Sequence, residues 1–311
     1  MREGGYAYFC KCIEGGAMID HKYKVFYQLC LTPSTTAAAD ILGLTQPAVS
    51  KNVRELEKEL GITLFGRTRN GMVLTEAGQE LMHGMEPLIA QERLLRYRLD
   101  QWRGVDRGEL KIGGSTTLSQ YVLPDAIAGF ARKWPDISLG LMSGNTQQIE
   151  EMVLNKSLHV AFIEGNKNRN DLHYEPFLKD ELVLVASASG RWPGRMAKAE
   201  LPSGCFVFRE RGSGTYHVIR KRLEQEGIDI RRLASKVCIG STEAIKRYVA
   251  GSDTLAFLSR YSIREELAQE RLRVIEVDGL CIERMFYSIH LQGEIDPYAA
   301  RFMDFSRKMF Q

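Results

Sequence analysis

No stretch of eighteen apolar residues occurs in this chain, so a membrane-spanning helix is not expected. No apolar core with a small-residue cleavage site follows Met1, so an exported precursor is not expected either. Six histidines (His21, His83, His159, His173, His217 and His290) are scattered without an H-x-x-x-H or H-E-x-x-H spacing, which disfavours a metalloenzyme. There is no G-x-S-x-G elbow. Gly212-Ser213-Gly214-Thr215 lacks the further glycine and lysine of a phosphate-cradling nucleotide loop. Catalysis is therefore poorly supported, and no metal or cofactor is expected. Cysteine is sparse: Cys10, Cys12, Cys30, Cys205, Cys238 and Cys281 are spread along the chain and read as free thiols in a reducing cytosol. Cys10 and Cys12 form a close pair with no second pair at zinc spacing. Forty-two basic and thirty-nine acidic side chains leave a net charge of +3, too little to announce nucleic-acid binding. Such a function has to be argued locally.

What is present is ordinary for soluble globular protein: 44% hydrophobic and 26% charged residues in 311, long enough for two or three domains. Residues 1–17 match no periodic pattern and are read as an extension of uncertain status, with the first element expected near Met18. From His21 to Leu31 the apolar positions suit a short buried helix. Ser34, Thr35 and Thr36 then offer caps for a small helix ending at Gly43. Thr45 caps a third helix with Pro47 in its first turn, where the missing N–H costs nothing. Its apolar face is Val49, Val53, Leu56 and Leu60, and its opposite face carries Gln46, Ser50, Lys51 and Arg54. Ile62 to Leu74 reads as a hairpin about Arg69-Asn70-Gly71.

Three helices and a hairpin within residues 18–75 form a winged helix-turn-helix plan. A small helical bundle without a partner is the alternative. The polar face of the third helix favours DNA: Gln46, Ser50 and Arg54 are suited to base edges, and Thr45, Lys51, Arg67 and Arg69 to the sugar-phosphate backbone. Thr75 caps a helix over residues 76–103. Leu81, Met85, Leu88, Leu95, Leu99 and Trp102 make a heptad stripe on it, broken by Glu92, which predicts a dimer through this segment. Pro87 predicts a kink.

Residues 108–311 alternate strand-like and helical segments, which predicts parallel sheets with helices on both faces. Four strand ends run into helix starts rich in glycine, hydroxyl and amide groups: Gly114-Ser115-Thr116-Thr117, Gly144-Asn145-Thr146, Gly212-Ser213-Gly214-Thr215 and Gly240-Ser241-Thr242. Free N–H groups there suit an anion. Arg209 or Arg211 would add charge, whereas Glu164 would oppose an anion unless protonated or turned away.

Ser34-Thr35-Thr36-Ala37-Ala38-Ala39, Thr45-Gln46-Pro47-Ala48-Val49-Ser50, Leu56-Glu57-Lys58-Glu59-Leu60-Gly61, Leu64-Phe65-Gly66-Arg67 and Leu74-Thr75-Glu76-Ala77-Gly78 closely resemble the LysR-type transcriptional regulators. The resemblance spans residues 18–311. Gly66, where the family often has Glu, is a small departure. The resemblance implies an α/β chain: an N-terminal winged helix-turn-helix, a long linker helix, and a C-terminal two-lobed domain like the periplasmic binding proteins. It adds Ser34, Thr35 and Pro47 to the DNA-contacting set. It implies self-association into a dimer and a tetramer, double-stranded promoter DNA as partner, and RNA polymerase as a candidate partner. The second half is most similar to the subgroup controlling sulfur-assimilation and carbon-fixation operons. The effector residues expected are Ser115, Thr116, Thr117, Asn145, Thr146, Ser213, Gly214, Thr215 and Ser241. The expected ligand is sulfite, sulfate or a small phosphorylated or carboxylated metabolite. The competing reading is an α/β solute-binding domain or enzyme with an incidental helical module; a pure oligomerisation module is a third, opposed by the glycine and hydroxyl loops. The expected location is the cytoplasm, with no membrane partner.

Overall fold

The computed structural model describes residues 18–32, 34–68, 71–165, 169–293 and 295–310. The chain divides into two units between Val105 and Asp106. Cys10 and Cys12, and the whole segment before Met18, lie outside the described residues, as does Arg69.

In the first unit, α1 (His21–Leu31), α2 (Thr35–Leu42) and α3 (Gln46–Leu60) are followed by β1 (Phe65–Thr68), β2 (Gly71–Leu74) and α4 (Glu76–Trp102). Each helix starts where the sequence supplies a cap. The Ser34 hydroxyl accepts from Ala37 N at 3.1 Å, Thr45 from Ala48 N at 3.4 Å and Thr75 from Gly78 N at 3.0 Å. Gly43 and Gly61 end α2 and α3 at φ 64° and 70°, the left-handed position where a side chain would be strained. Val25, Leu29, Ala38, Ala39, Leu42, Val49 and Val53 form one core cluster, and Phe26, Leu56, Leu64 and Met85 a second. Leu60, expected on the buried face of α3, is instead 37% exposed at the helix end. Strands β1 and β2 pair antiparallel from Phe65↔Leu74 to Thr68↔Gly71.

Helix α4 continues through Pro87 for 27 residues. Its expected stripe divides. Leu81 and Met85 pack on α1 and α3 of the same chain, whereas Leu88, Leu95, Leu99 and Trp102 are exposed. Glu92, the break in the stripe, shares the face of Leu88 and Leu95 but is buried by Met18 and Lys24 of its own chain. Its Oε1 accepts from Lys24 Nζ at 2.9 Å, Arg96 Nη2 at 2.9 Å and Met18 N at 3.3 Å. Burial pushes the Glu92 carboxyl up, but the hydrogen bonds from Lys24 and Arg96 outweigh it and hold the group below the usual carboxylate range.

In the second unit β3 (Gly108–Ser115), α5 (Thr116–Tyr121), α6 (Leu123–Lys133), β4 (Ile137–Gly144), α7 (Thr146–Leu154) and β5 (Val160–Glu164) lead into a long strand, β6 (Leu172–Ser187). After β7 (Arg195–Ala197) come β8 (Cys205–Phe208), α8 (Gly214–Gln225), β9 (Ala234–Cys238), α9 (Thr242–Ala250), β10 (Ala256–Ser259), α10 (Arg264–Ala268) and β11 (Leu272–Asp278). The chain returns through β12 (Ile282–Leu291) and ends in α11 (Pro297–Phe310).

The main sheet has the order β4-β3-β5-β12-β6-β11-β7, with β10 also on β6. Its pairing is mixed rather than parallel throughout. β3 pairs parallel with β4 and β5, and β8 with β9, but β6, β10 and the neighbouring edges of β11 and β12 pair antiparallel. The reason is β6 and β12, which run antiparallel to each other through both lobes and so serve as the crossovers. Helices cover both faces of the first lobe. Ala161 and Ile163 turn toward Ile149 and Val153 of α7, and Phe162, of opposite parity, meets Phe302 of α11 with ring centroids 5.8 Å apart. In the second lobe Phe206, Phe208, Ile219, Leu223 and Phe257 make the core under α8. No described helix is long and apolar enough to cross a membrane.

Candidate DNA-reading surface and inter-lobe site

On α3, Gln46, Pro47, Lys51 and Arg54 are exposed and Ser50 is half-buried, while Val49, Val53 and Leu56 are buried on the opposite face. The sequence therefore sets a free polar stripe on a helix fixed by its apolar side. Lys51 makes only a loose pair with Glu55, 3.7 Å apart and exposed on both sides, worth little in water. Ser34 and Thr45 are occupied as caps, and the Thr35 hydroxyl lies 3.9 Å from Met72 Sδ of the hairpin. Arg67 lies on β1, facing Met72 of β2 in the backbone register. The hairpin is tied to α3 by Glu57, whose Oε1 accepts from Leu64 N at 2.7 Å and Phe65 N at 3.2 Å.

In the second unit, the hydroxyl-rich loops do converge between the lobes. Four of the expected residues surround Glu164, the last residue of β5. Ser115 and Thr215 donate to its carboxylate, the latter at 3.1 Å, and Thr146 donates to its carbonyl at 3.2 Å. A β-carbon on Gly214 would lie 2.4 Å from that same carbonyl oxygen, so only glycine lets the start of α8 approach β5 so closely. Glu164 is 1% exposed. Of the alternatives open to it in the sequence, Glu164 takes that of a group turned away: its carboxylate points inward onto hydroxyl donors.

Thr116 meets Arg209, the residue after β8. Arg209 Nη2 donates to Thr116 Oγ1 at 3.0 Å and Nη1 to Thr242 Oγ1 at 3.3 Å, so one buried guanidinium touches the starts of α5 and α9. Its other edge is held by Glu210, with Nε–Oε2 2.9 Å and Nη2–Oε1 3.0 Å. Burial would raise the Glu210 carboxyl, but Arg209 and the Asn145 side chain hold it below its ordinary value. Asn145 also closes a capping box with Gln148 at the start of α7. Ser213 and Ser241 accept from Tyr216 N and Ala244 N as the caps of α8 and α9.

Two residues of the site escaped the sequence reading. Arg284 of β12 donates to Asp180 of β6 at 2.7 Å, to Thr215 Oγ1 at 2.9 Å and toward Thr117 Oγ1 at 3.5 Å. Both charged side chains are buried in the crossovers. A signal was available: Arg284 sits between Ile282 and Phe286, and Asp180 two before Leu182, each at an inward position of a two-residue period. A buried charge at such a position needs a partner across the sheet. Beside this pair a cavity of about 550 Å³ is lined by Lys179, Asp180, Arg260, Tyr261, Arg264 and Arg284 among others.

Chemically the inter-lobe site is two guanidinium groups, three carboxylates and a ring of hydroxyls. It can bind polar groups by hydrogen bonding and ion pairing.

Comparison with known proteins agrees with both halves. The LysR substrate binding domain pattern matches residues 103–311, and that of the bacterial regulatory helix-turn-helix proteins of the lysR family matches residues 21–79. The chain is 31% identical to a RuBisCO operon transcriptional regulator of Allochromatium vinosum over 285 residues, covering 91% of this chain and 93% of that one. It is 29% identical to the HTH-type transcriptional regulator CysL of Bacillus subtilis over 269 residues, 86% and 89% of the two chains. Among solved structures, the CcmR regulatory domain of Synechocystis in complex with 2-PG superposes with a TM-score of 0.61 at 26% identity, covering 66% of this chain and 98% of that one. With matched patterns over both units and a helix-turn-helix joined to an effector-binding fold, this chain belongs to the LysR family of transcriptional regulators.

Proposed function

We propose that the chain reads double-stranded promoter DNA through α3 and the β1–β2 hairpin, and that a small anion bound between the two lobes changes how it does so. Gln46, Ser50 and Arg54 contact bases; Ser34, Thr35, Thr45, Pro47, Lys51, Arg67 and Arg69 lie along the sugar-phosphate backbone. Protomers join through the exposed Leu88, Leu95, Leu99 and Trp102 of α4, with a dimer of dimers as the working assembly and RNA polymerase as a downstream contact, all in the cytoplasm. The exposed polar stripe of α3 favours this over a solute-binding or enzymatic role, which needs no such surface.

The observation that carries the effector reading is Arg209. Its guanidinium bridges Thr116 and Thr242, and Glu210 is the carboxylate that meets its charge at hydrogen-bond distance among the described residues. The incoming anion takes the place of the Glu210 carboxylate on Arg209, and hydroxyls of Ser115, Thr116, Thr117, Thr146, Thr215 and Ser241, with Asn145 and the backbone at Ser213 and Gly214, complete its shell. A related regulatory domain solved with 2-PG supports a small ligand in this fold. Ligand shifts the two arrangements only by its difference in affinity for them.

The test is a thermal-shift titration with sulfite, sulfate, inorganic phosphate and 2-PG, because a ligand specific to the native state raises Tm. Arg209→Gln should abolish the shift and Glu210→Gln should strengthen it. A Glu210→Gln protein that responds more weakly than wild type would refute the displacement of Glu210.

A further inference from the structure

The first lobe holds a second cluster of polar side chains, away from the inter-lobe site. Strands β6 and β12 pair antiparallel with His173 directly opposite His290, and Glu175 lies two residues beyond His173 on the same strand. The two-residue period puts all three on one face of the sheet, the face that carries α11. Their ligand atoms all lie within 4.8 Å of one another. The two imidazole rings have centroids 4.9 Å apart, and His173 Nε2 is 3.6 Å from Glu175 Oε1.

We propose that His173, Glu175 and His290 bind a divalent ion of the zinc class on this face of the first lobe. Two of the three ligands are already oriented for the task. His290 Nδ1 lies 2.7 Å from the Leu291 carbonyl, which only accepts, so Nδ1 carries the proton and Nε2 presents its lone pair. Glu175 divides its oxygens: Oε2 is held by Arg307 of α11, and Oε1 is the one facing His173. That is the outer-shell arrangement that fixes a ligating carboxylate. A tetrahedral ion with bonds of about 2.1 Å wants ligand atoms about 3.4 Å apart, so small side-chain rotations close the shell. Two imidazoles and one carboxylate suit zinc, nickel or cobalt better than magnesium or calcium, which prefer all-oxygen shells. Three protein ligands leave a position for water or a small anion. Sequence spacing gave no hint of this site, because the strand register and not a local motif brings the histidines together.

The experiment uses the full chain stripped of metal with a chelator and dialysed. Zinc chloride is titrated calorimetrically, and cobalt(II) is titrated by visible absorption. Wild type and a Cys10→Ser, Cys12→Ser variant should each bind one equivalent per chain with a cobalt spectrum free of thiolate charge-transfer bands. His173→Ala and Glu175→Gln should each weaken binding about ten-fold or more. His173 is largely exposed, so its loss should leave the circular dichroism unchanged. Absence of saturable binding in wild type overturns the site, as does affinity unchanged in His173→Ala or lost in the cysteine variant.

Discussion

Gly214 at the start of α8 and Glu164 at the end of β5 meet backbone to backbone across the two lobes: a β-carbon on the glycine would stand 2.4 Å from the glutamate's carbonyl oxygen and 2.6 Å from Thr146 Oγ1. Backbone cannot yield as a flexible side chain can. Gly214→Ala should therefore part the lobes here, lowering unfolding stability by ~1–3 kcal/mol. It should also weaken the response to anions while leaving basal DNA affinity intact. Urea unfolding equal to wild type would show that the two segments do not touch in solution.

Thr116→Val keeps the shape of the side chain and removes one acceptor of Arg209 and the donor to the Gly144 carbonyl at 3.2 Å. The thermal response to anions should fall and operator affinity without ligand should not. A full response in titrations of the variant would remove Thr116 from the effector shell.

On the DNA side, Arg54→Ala should weaken a specific site by ~1–3 kcal/mol and relax base choice at one position. Lys51→Ala should weaken all sequences alike and reduce the slope of log affinity against log salt by about one. Footprinting and salt-dependent mobility shifts separate the two; identical behaviour of both variants would sink the division between base and phosphate contacts.

The N-terminal unit was the more legible half in the sequence because its signals are local. Caps at Ser34, Thr45 and Thr75, left-handed glycines at 43 and 61, and the period of Val49, Val53 and Leu56 each act within one turn of their own element. The crossovers were legible only in part. The sequence reading found Leu182–Ala186 and Met285–Leu291, but β6 begins at Leu172 and β12 at Ile282. Pro176 and the charged run Lys179-Asp180-Glu181 interrupt the apolar alternation, since β6 changes lobe there. Arg284 and Asp180 escaped for a related reason: their partners lie far away in sequence, on other strands and loops. The stripe on α4 mixed two environments, one packed on its own chain at Leu81 and Met85 and one exposed at Leu88, Leu95, Leu99 and Trp102.

Exposed Leu95 and Leu99 are 47% and 46% accessible in the single chain, with Trp102 at 90%. Leu95→Arg with Leu99→Arg should lower the assembly state without unfolding the protomer, because neither side chain supports its own core. Sedimentation velocity reads the outcome, and a doubly substituted protein of unchanged mass would exclude this surface as the protomer contact.

Glu92 makes stability depend on pH. Its folded pKa is depressed, so its contribution is present above the unfolded value and disappears as pH falls through the folded one. Glu92→Gln should destabilise the first unit by ~1–3 kcal/mol near neutrality. The difference from wild type should close below the usual carboxylate range, and a constant difference down to acid pH would mean that the ion pairs with Lys24 and Arg96 carry no weight.

Glu57 gives its one carboxylate oxygen to two successive amides on the way into the hairpin. The third helix and the hairpin are thereby held like the jaws of a caliper, with their spacing set within the chain. If both meet the duplex as proposed, adjustment at the operator falls on the nucleic acid, and readily bent sequences should fit the gauge best.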